Sequence, residues 1–176
     1  GAYTGLNPFQ ICDLDDELAP RLVQFLKSYV KTLAYDQSGK PCSDAQAEEL
    51  AKAVDATMLL PREMRRLSTL LSRISDPELK IRLAKWCGGG QYAWAVDSPQ
   101  NTFSPMDFKK VGFDTTVILE KTKDGVHPAC EPLLAILFFY KSLMQREGQL
   151  MLSIIEEFWM PANFPLTQAM IKSALK

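Results

Sequence analysis

The sequence predicts an α+β or α/β protein in which four helices are followed by part of an α/β sheet. Two observations predict this class. Apolar residues recur at helical spacing through the first half of the chain, whereas short apolar runs alternate with one long helix in the second half. The character changes at Gly88–Gly90, because three successive glycines favour the end of a helix.

The first two helices are predicted from their start signals. Asp15 or Asp16 is expected to cap the first helix, which runs to about residue 34. Ser43 and Gln46 have the spacing of a capping box, in which each side chain bonds to the other residue's backbone N–H. This pair is expected to open the second helix.

Two further helices complete the first half. Apolar residues at helical spacing over 64–74 predict the third helix. Asp76 and Pro77 then combine an acidic cap with a proline at the first helical position, which predicts a fourth helix that ends near Trp86 or Cys87.

The second half is expected to alternate strands with helices. Short apolar runs at 92–96, 110–116 and 150–157 predict strands, and the apolar stretch 127–146 predicts a long helix. A closing helix is expected over 165–175.

Composition excludes several classes of protein. The 176 residues are 47% hydrophobic, too apolar for a disordered chain, and their net charge of -1 gives no general attraction for nucleic acid or an anionic membrane. No apolar run is long enough to span a bilayer. Four separated cysteines and a single histidine make a zinc site improbable, and reduced thiols are expected.

The run 151–159 carries the strongest chemical signal. A short apolar stretch stops at two adjacent carboxylates, Glu156 and Glu157, which is how P-loop nucleoside triphosphatases deliver acids to Mg²⁺ and to the attacking water. The alternative is an amphipathic helix with two solvated glutamates. The partner motif of this pattern is a glycine-rich loop ending in Gly-Lys-Ser/Thr, but the one Gly-Lys pair, Gly39-Lys40, is followed by proline.

Two aspartates also follow predicted strands. Asp97 and Asp114 each end a strand-like run, and ligands of open α/β sheets bind beyond the carboxyl ends of the strands. Both are therefore candidate cofactor-binding residues that face one cleft. Turn formation or helix capping is the alternative role for each.

One region of the chain is locally basic. Residues 62–85 hold seven lysines and arginines against three acids. Since no aromatic residues interleave with these charges, a solvated helical face is favoured over a nucleic-acid surface.

Six short motifs occur in order along the chain. They are Asn7-Pro8-Phe9-Gln10, Leu60-Pro61-Arg62, Leu83-Ala84-Lys85-Trp86-Cys87-Gly88-Gly89-Gly90, Trp94-Ala95-Val96-Asp97, Val111-Gly112-Phe113-Asp114-Thr115-Thr116 and Ile155-Glu156-Glu157-Phe158-Trp159. Each motif alone is weakly specific. The ordered set resembles the large VirB-type ATPases of type IV secretion and conjugative-transfer systems (the TraC-like family), and the resemblance covers nearly the whole chain.

The resemblance implies a RecA-like P-loop motor core with a helical domain inserted into it. Residues 11–88 would be the all-helical insertion, and 89–176, together with 1–10, would be part of the RecA-like core. The P-loop would lie upstream of Gly1, and the arginine-bearing segments of the nucleotide site would lie downstream of Lys176. This stretch by itself is therefore expected to be inactive and to hold no cofactor.

The resemblance also implies roles for the two glutamates. The longer protein would use ATP and Mg²⁺, with Glu157 as the catalytic residue that orients the attacking water. Glu156 stands where the family usually has an aspartate that contacts Mg²⁺ through water. The extra methylene moves this carboxylate outward by roughly 1.5 Å. Since Mg²⁺ demands strict octahedral geometry, metal binding at Glu156 departs from the pattern.

The implied function is ATP hydrolysis that powers pilus assembly and the export of DNA or protein across the bacterial envelope. The implied partners are other subunits of the secretion machinery and further copies of the same protein, in a hexamer by analogy with RecA-like motors. Any contact with DNA is expected to be weak. The implied location is cytoplasmic, at the inner face of the bacterial inner membrane. The alternative function is a non-catalytic helical protein-interaction module.

Overall fold

Helices dominate the part of the chain that the computed structural model describes, which is residues 2–13, 15–36, 38–119, 121–122, 125–145, 154 and 164–174. The α-helices of these ranges are α1 (Ala19–Leu33), α2 (Asp44–Met58), α3 (Leu67–Leu71), α4 (Pro77–Ala84), α5 (Ala93–Val96), α6 (Thr116–Leu119), α7 (Cys130–Met144) and α8 (Pro165–Ala174). Short 3-10 turns occupy Pro8–Gln10, Arg62–Met64 and Pro105–Asp107. None of the helices in these ranges has the length and apolar character needed to cross a membrane.

The predicted RecA-like α/β sheet is wrong for the described residues. The strand pairing among them is a two-residue antiparallel pair, β1 (Lys121–Thr122) with β2 (Gly125–Val126). The predicted strand 92–96 is instead a turn followed by α5, because a run this short shows no period and the backbone closes locally. The Ala93 N–H donates to the Gly90 carbonyl, and the Asp97 N–H donates to the Ala93 carbonyl.

The second predicted strand, 110–116, is also wrong. Residues 111–114 are exposed and irregular, and the chain enters α6 at Thr116. These side chains lie largely in solvent, whereas strand propensity reflects packing on a half-buried surface. The third predicted strand, 150–157, lies outside the described residues except for Ile154.

The chain divides into two compact units, residues 1–103 and 104–176. In unit 1, α1 packs on α2, α2 on α3 and α3 on α4. Their buried faces supply the core, which includes Leu22, Leu26, Tyr29, Leu33, Leu50, Val54, Leu70, Leu79 and Leu83. The Trp86 indole N–H donates to the Leu33 carbonyl (3.0 Å), which fixes the end of α4 against α1.

The predicted caps of α2 and α4 are confirmed. Ser43 and Gln46 form both hydrogen bonds of the capping box, and the Asp76 carboxylate accepts the Leu79 N–H (2.9 Å). The predicted aspartate cap of the first helix is absent: α1 begins after Leu18, and Asp16 instead accepts the Leu18 N–H in the preceding turn.

The N-terminal segment is bonded to the region that follows the glycine run. The Thr4 N–H donates to the Trp94 carbonyl (2.9 Å), and the Thr102 N–H donates to the Gly5 carbonyl (2.9 Å). These two hydrogen bonds join Thr4 and Gly5 to residues that follow the glycine run. The division into 11–88 and 89–176 stays a prediction.

Unit 2 is built on α7 and α8, which pack against each other. Buried side chains of α7 include Leu134, Ile136 and Phe139, and Ile171 of α8 is buried as well. The Glu131 carboxylate accepts the Leu166 N–H (3.3 Å) and so satisfies a donor in the first turn of α8. Burial raises the pKa of this carboxyl.

Candidate functional site

Asp97, a predicted cofactor-binding residue, lies at the buried centre of unit 1. Its Oδ1 accepts the Ser68 N–H (3.1 Å), and its Oδ2 accepts the Gly88 N–H (2.9 Å) and the Ser68 hydroxyl. Arg66 Nη2 lies 3.3 Å from Oδ2 and 2.7 Å from the Asp97 carbonyl oxygen. The residue therefore joins the first turn of α3 to the glycine run that follows α4.

This geometry supports the capping alternative for Asp97. The residue is 0% exposed, and its carboxylate faces donors that all come from the chain itself. A buried carboxylate is tolerated because the hydrogen bonds and the guanidinium replace the lost hydration. Contact between Asp97 and a nucleotide stays a prediction.

Three neighbouring arginines of the basic region are held within unit 1. Besides the contact between Arg66 and Asp97, Arg62 Nη1 lies 3.0 Å from Asp13 Oδ2. Arg65 is buried, donates through Nε to a backbone carbonyl at 2.8 Å and lies 3.7 Å from Asp13 Oδ1. These guanidinium groups therefore hold loops together and are not presented as an open cationic surface.

Two buried amides complete this region, and sequence reasoning missed their role. Asn7 Nδ2 donates to the carbonyls of Arg65 (2.8 Å) and Ser98 (3.0 Å). Gln10 Nε2 donates to the Arg65 carbonyl (3.2 Å), while its Oε1 accepts the Asn101 N–H (2.9 Å). The motif Asn7-Pro8-Phe9-Gln10 was visible in the sequence, but partners so distant along the chain leave no local pattern. We call Asn7, Gln10, Arg66, Ser68 and Asp97 the polar centre.

Asp114, the other predicted aspartate, is exposed in unit 2. Its Oδ1 accepts the Thr116 N–H (3.0 Å) and the Thr116 hydroxyl (2.6 Å), and these hydrogen bonds lower the pKa of the carboxyl. Asp114 therefore forms a turn just before α6, and turn formation was one of its alternative roles. A contact with a cofactor stays a prediction.

The two glutamates with the strongest chemical signal, Glu156 and Glu157, lie outside the described residues. Within 146–163 the structure describes Ile154, whose side chain is 80% exposed. The catalytic role of Glu157 and the Mg²⁺ role of Glu156 stay predictions.

The cysteines of the chain are free thiols. Burial raises the pKa of Cys12 to about 11, of Cys87 to about 12 and of Cys130 to about 11. These thiols are therefore protonated at neutral pH and are poor nucleophiles and metal ligands. In the described ranges, no three His, Cys, Asp or Glu side chains are grouped to hold a metal ion.

A shallow groove on unit 1 is lined by Tyr35, Asp36 and Ser38 on one side and by α4 and Lys85 on the other. Its wall contains Glu78 and Arg82, paired at 2.5 Å, and Lys85, whose ammonium lies 5.8 Å from the Trp86 ring centroid. Burial lowers the pKa of Lys85. The groove is lined by both acidic groups, Asp36 and Glu78, and basic groups, Arg82 and Lys85, so it presents no single-sign field to a charged ligand.

Comparison with curated proteins finds relatives that are named as type IV secretion system proteins. It is 28% identical over 179 residues to the type IV secretion system protein virB4 of Bartonella henselae, a match that spans 100% of the chain and 21% of the relative. It is 28% identical over 173 residues to the type IV secretion system protein PtlC of Bordetella pertussis, which covers 90% of the chain and 19% of the relative.

A third relative is virB4 of Brucella abortus, 30% identical over 134 residues, or 68% of the chain and 15% of the relative. No protein-family model matches the chain. The family resemblance seen in the sequence is confirmed: the chain is a homologue of the VirB4 and PtlC secretion proteins. It spans about a fifth of the length of these relatives.

Proposed function

We propose that the chain is part of a type IV secretion ATPase, and that the complete protein hydrolyses ATP to power pilus assembly and the export of DNA or protein. The observation that carries this proposal is the match of the whole chain to virB4 of Bartonella henselae at 28% identity. The ordered set of six motifs, from Asn7-Pro8-Phe9-Gln10 to the glutamate pair, supports it.

Within that protein, the described units serve as a helical scaffold. The polar centre uses buried, paired groups to hold the N-terminal segment, α3 and the glycine run in one arrangement. Such a network specifies geometry because each member is left unpaired if another moves. The scaffold would therefore present the functional segments of the complete protein in a fixed position.

We assign the chemistry to the glutamate pair. Glu157 would orient and polarise the water that attacks the γ-phosphate, and Glu156 would help to hold Mg²⁺. Bound Mg²⁺ would neutralise the charge that develops on the phosphate oxygens. The P-loop that binds the phosphates would come from another part of the complete protein.

The complete protein would act in the cytoplasm, at the inner face of the bacterial inner membrane. Its partners would be other subunits of the secretion machinery and further copies of itself, in a hexamer.

The test is the Glu157→Gln substitution in the complete protein. The amide keeps the size and hydrogen bonding of the side chain but does not polarise water as a carboxylate does. We expect hydrolysis to fall about a hundredfold or more, while ATP binding is retained. Hydrolysis is followed by phosphate release, and binding by calorimetry with ATP and Mg²⁺.

Glu156→Asp is the matched control, because it restores the residue that the family usually has. We expect this variant to hydrolyse ATP at least as fast as the wild type. A Glu157→Gln protein that keeps half of the wild-type rate would exclude Glu157 as the catalytic residue.

The alternative function is a non-catalytic helical interaction module. One observation favours it: the carboxylates of Asp97 and Asp114, predicted to face a cofactor, bond to groups of their own units. The two functions differ in nucleotide binding. A complete protein that shows no ATP affinity in the calorimetry would favour the interaction module.

A further inference from the structure

The groove beside α4 combines an exposed apolar side chain with a lysine. Leu79 and Leu83 supply the buried face of α4, whereas Ile81 lines the groove and is 76% exposed. Lys85, which ends the helix with helical backbone angles, follows Ile81 by four positions and lies on the same face. One exposed apolar residue is ordinary on a protein surface, so the charges beside it decide what the groove can bind.

Two charged groups of the groove are already paired with each other. Glu78 Oε1 lies 2.5 Å from Arg82 Nη2, and Glu78 Oε2 accepts the Gln46 side-chain amide (3.1 Å). Arg82 Nη1 also donates to the Ala34 carbonyl (3.3 Å), and the Arg82 side chain is 9% exposed. A ligand could use either group only by breaking these bonds.

The carboxylate of Asp36 is held by its own loop. Its Oδ1 accepts the Ser38 N–H (2.8 Å), the Ser38 hydroxyl (2.7 Å) and the Lys40 N–H (2.9 Å). These hydrogen bonds lower the pKa of the carboxyl, so Asp36 stays ionised at neutral pH.

Lys85 differs from these three groups. Its ammonium lies 5.8 Å from the Trp86 ring centroid and makes no ion pair within the described ranges of the chain. Burial lowers its pKa, and the attraction of Asp36 opposes this effect only in part. A carboxylate that pairs with such an ammonium displaces less water than one that pairs with a fully hydrated lysine.

We propose that the groove binds a short acidic peptide segment of a partner protein, with a carboxylate on Lys85 and an aliphatic side chain on Ile81. Four helical positions rise about 6 Å along the helix axis. Alternate side chains of an extended peptide point to one face at a spacing of about 6.7 Å. An aliphatic residue and an acid two positions apart therefore match the two anchors.

The charges of the groove disfavour other occupants. A nucleotide phosphate needs several donors, whereas Lys85 is the unpaired cation among the described residues of the groove, and Asp36 and Glu78 would repel the further negative charge. A small carboxylic acid would pair with Lys85 but leave Ile81 uncovered. The inference does not depend on ATP hydrolysis.

The experiment is an NMR titration of the isotope-labelled 176-residue chain with the peptide acetyl-Ser-Leu-Ser-Glu-Ser-amide. We expect a Kd of about 1 mM, with shift changes concentrated at residues 35–38 and 78–86. Replacing the peptide's glutamate by glutamine, or its leucine by serine, should weaken binding at least about fivefold. The pKa of Lys85 should rise when the glutamate peptide is bound, because the carboxylate stabilises the ammonium.

Lys85→Gln should weaken binding of the glutamate peptide by the same factor. It should have no such effect on the glutamine peptide, since the paired charge is already missing there. Lys80→Gln is the matched control, because this exposed lysine lies on α4 outside the groove and should leave binding unchanged. Ile81→Ser should weaken binding of the leucine peptide but not of the serine peptide.

Three outcomes overturn the proposal. The first is the absence of shift changes at the groove with up to about 10 mM peptide. The second is an equal loss of binding in Lys85→Gln and Lys80→Gln, which would indicate non-specific attraction. The third is displacement of the peptide by an equal concentration of acetate or ATP, which would indicate a site for small acids or nucleotides.

Discussion

At the scale of the residue, Asp97 shows how groups of the same chain can replace the hydration of a buried carboxylate. Withdrawing a carboxylate from water costs several kcal/mol unless other groups replace the hydration. Here the replacement comes from the N–H groups of Ser68 and Gly88, the Ser68 hydroxyl and the Arg66 guanidinium. The side chain therefore stabilises unit 1 only while all of these partners are present.

Asp97→Ala should destabilise unit 1 by about 3 kcal/mol, since it leaves Arg66 half-buried without its counter-charge. The measurement is the denaturant dependence of the far-UV circular dichroism of the chain. Asp107→Ala removes an exposed aspartate and should change stability by no more than about 0.5 kcal/mol.

If Asp97 served mainly as a nucleotide contact, its loss would have the opposite pattern. Asp97→Ala would then leave the unfolding transition unchanged and weaken ATP binding by the complete protein. That pair of results would contradict the structural role.

The polar centre could be predicted only in part from the sequence. Asp97 was recognised as a candidate because it follows an apolar run, and helix capping was among its expected roles. Its partners Arg66 and Ser68 are about 30 residues away along the chain. No local spacing relates them, so only the packing of α3 against the glycine run brings them together.

At the scale of the element, the sequence predicts features that depend on local backbone hydrogen bonds, such as helix caps. It does not predict features that depend on packing between distant residues. The caps at Ser43 and Asp76 were predictable because each bonds to an N–H three residues later. Residues 92–96 were predicted as a strand because a short apolar run fits a buried strand and a buried helical turn equally well. Ala93, Ala95 and Val96 are indeed buried, but in α5.

The glycine run after α4 is constrained for two different reasons. A Cβ on Gly90 would lie 2.7 Å from the Lys85 carbonyl oxygen, which belongs to the backbone and has little freedom to move. Gly89 has φ +81°, a conformation that L-residues rarely adopt, but a Cβ there would meet open space. Gly88 has neither constraint, since the nearest atom to its Cβ would be Ser68 Oγ at 3.6 Å.

Alanine substitutions at these three glycines should therefore reduce stability by different amounts. Gly89→Ala should lower the free energy of unfolding by about 1 kcal/mol, because alanine disfavours the left-handed conformation. Gly90→Ala should cost more, because the backbone of α4's last turn must shift. Gly88→Ala should be nearly neutral and is the control. Thermal unfolding of the three variants measures the order, and a Gly90→Ala protein as stable as Gly88→Ala would contradict the close approach.

At the scale of the whole molecule, the structure shows that the charges of the basic region 62–85 are largely paired within the chain, which the sequence does not reveal. Seven positive charges suggested a surface, but Arg62, Arg65 and Arg66 pair with aspartates and Arg82 pairs with Glu78. Lys85 lies beside the Trp86 ring. Two other basic side chains of this region, Arg73 and Lys80, are exposed to solvent. The internal pairs thus remove most of the field that would attract phosphates.

We therefore predict at most weak binding to nucleic acid, with a Kd of about 10⁻⁵ M or weaker at physiological salt. Fluorescence anisotropy with a labelled single strand and a labelled duplex measures it. The informative variant is Arg73→Glu/Lys80→Glu, since both side chains are exposed, whereas reversing Arg62, Arg65 or Arg66 would break internal pairs and confuse lost binding with lost folding. Lys31→Glu, on exposed α1 surface, is the control. Submicromolar binding that falls steeply with salt and is lost in the double variant, but not in the control, would show that this helical face does contact phosphates.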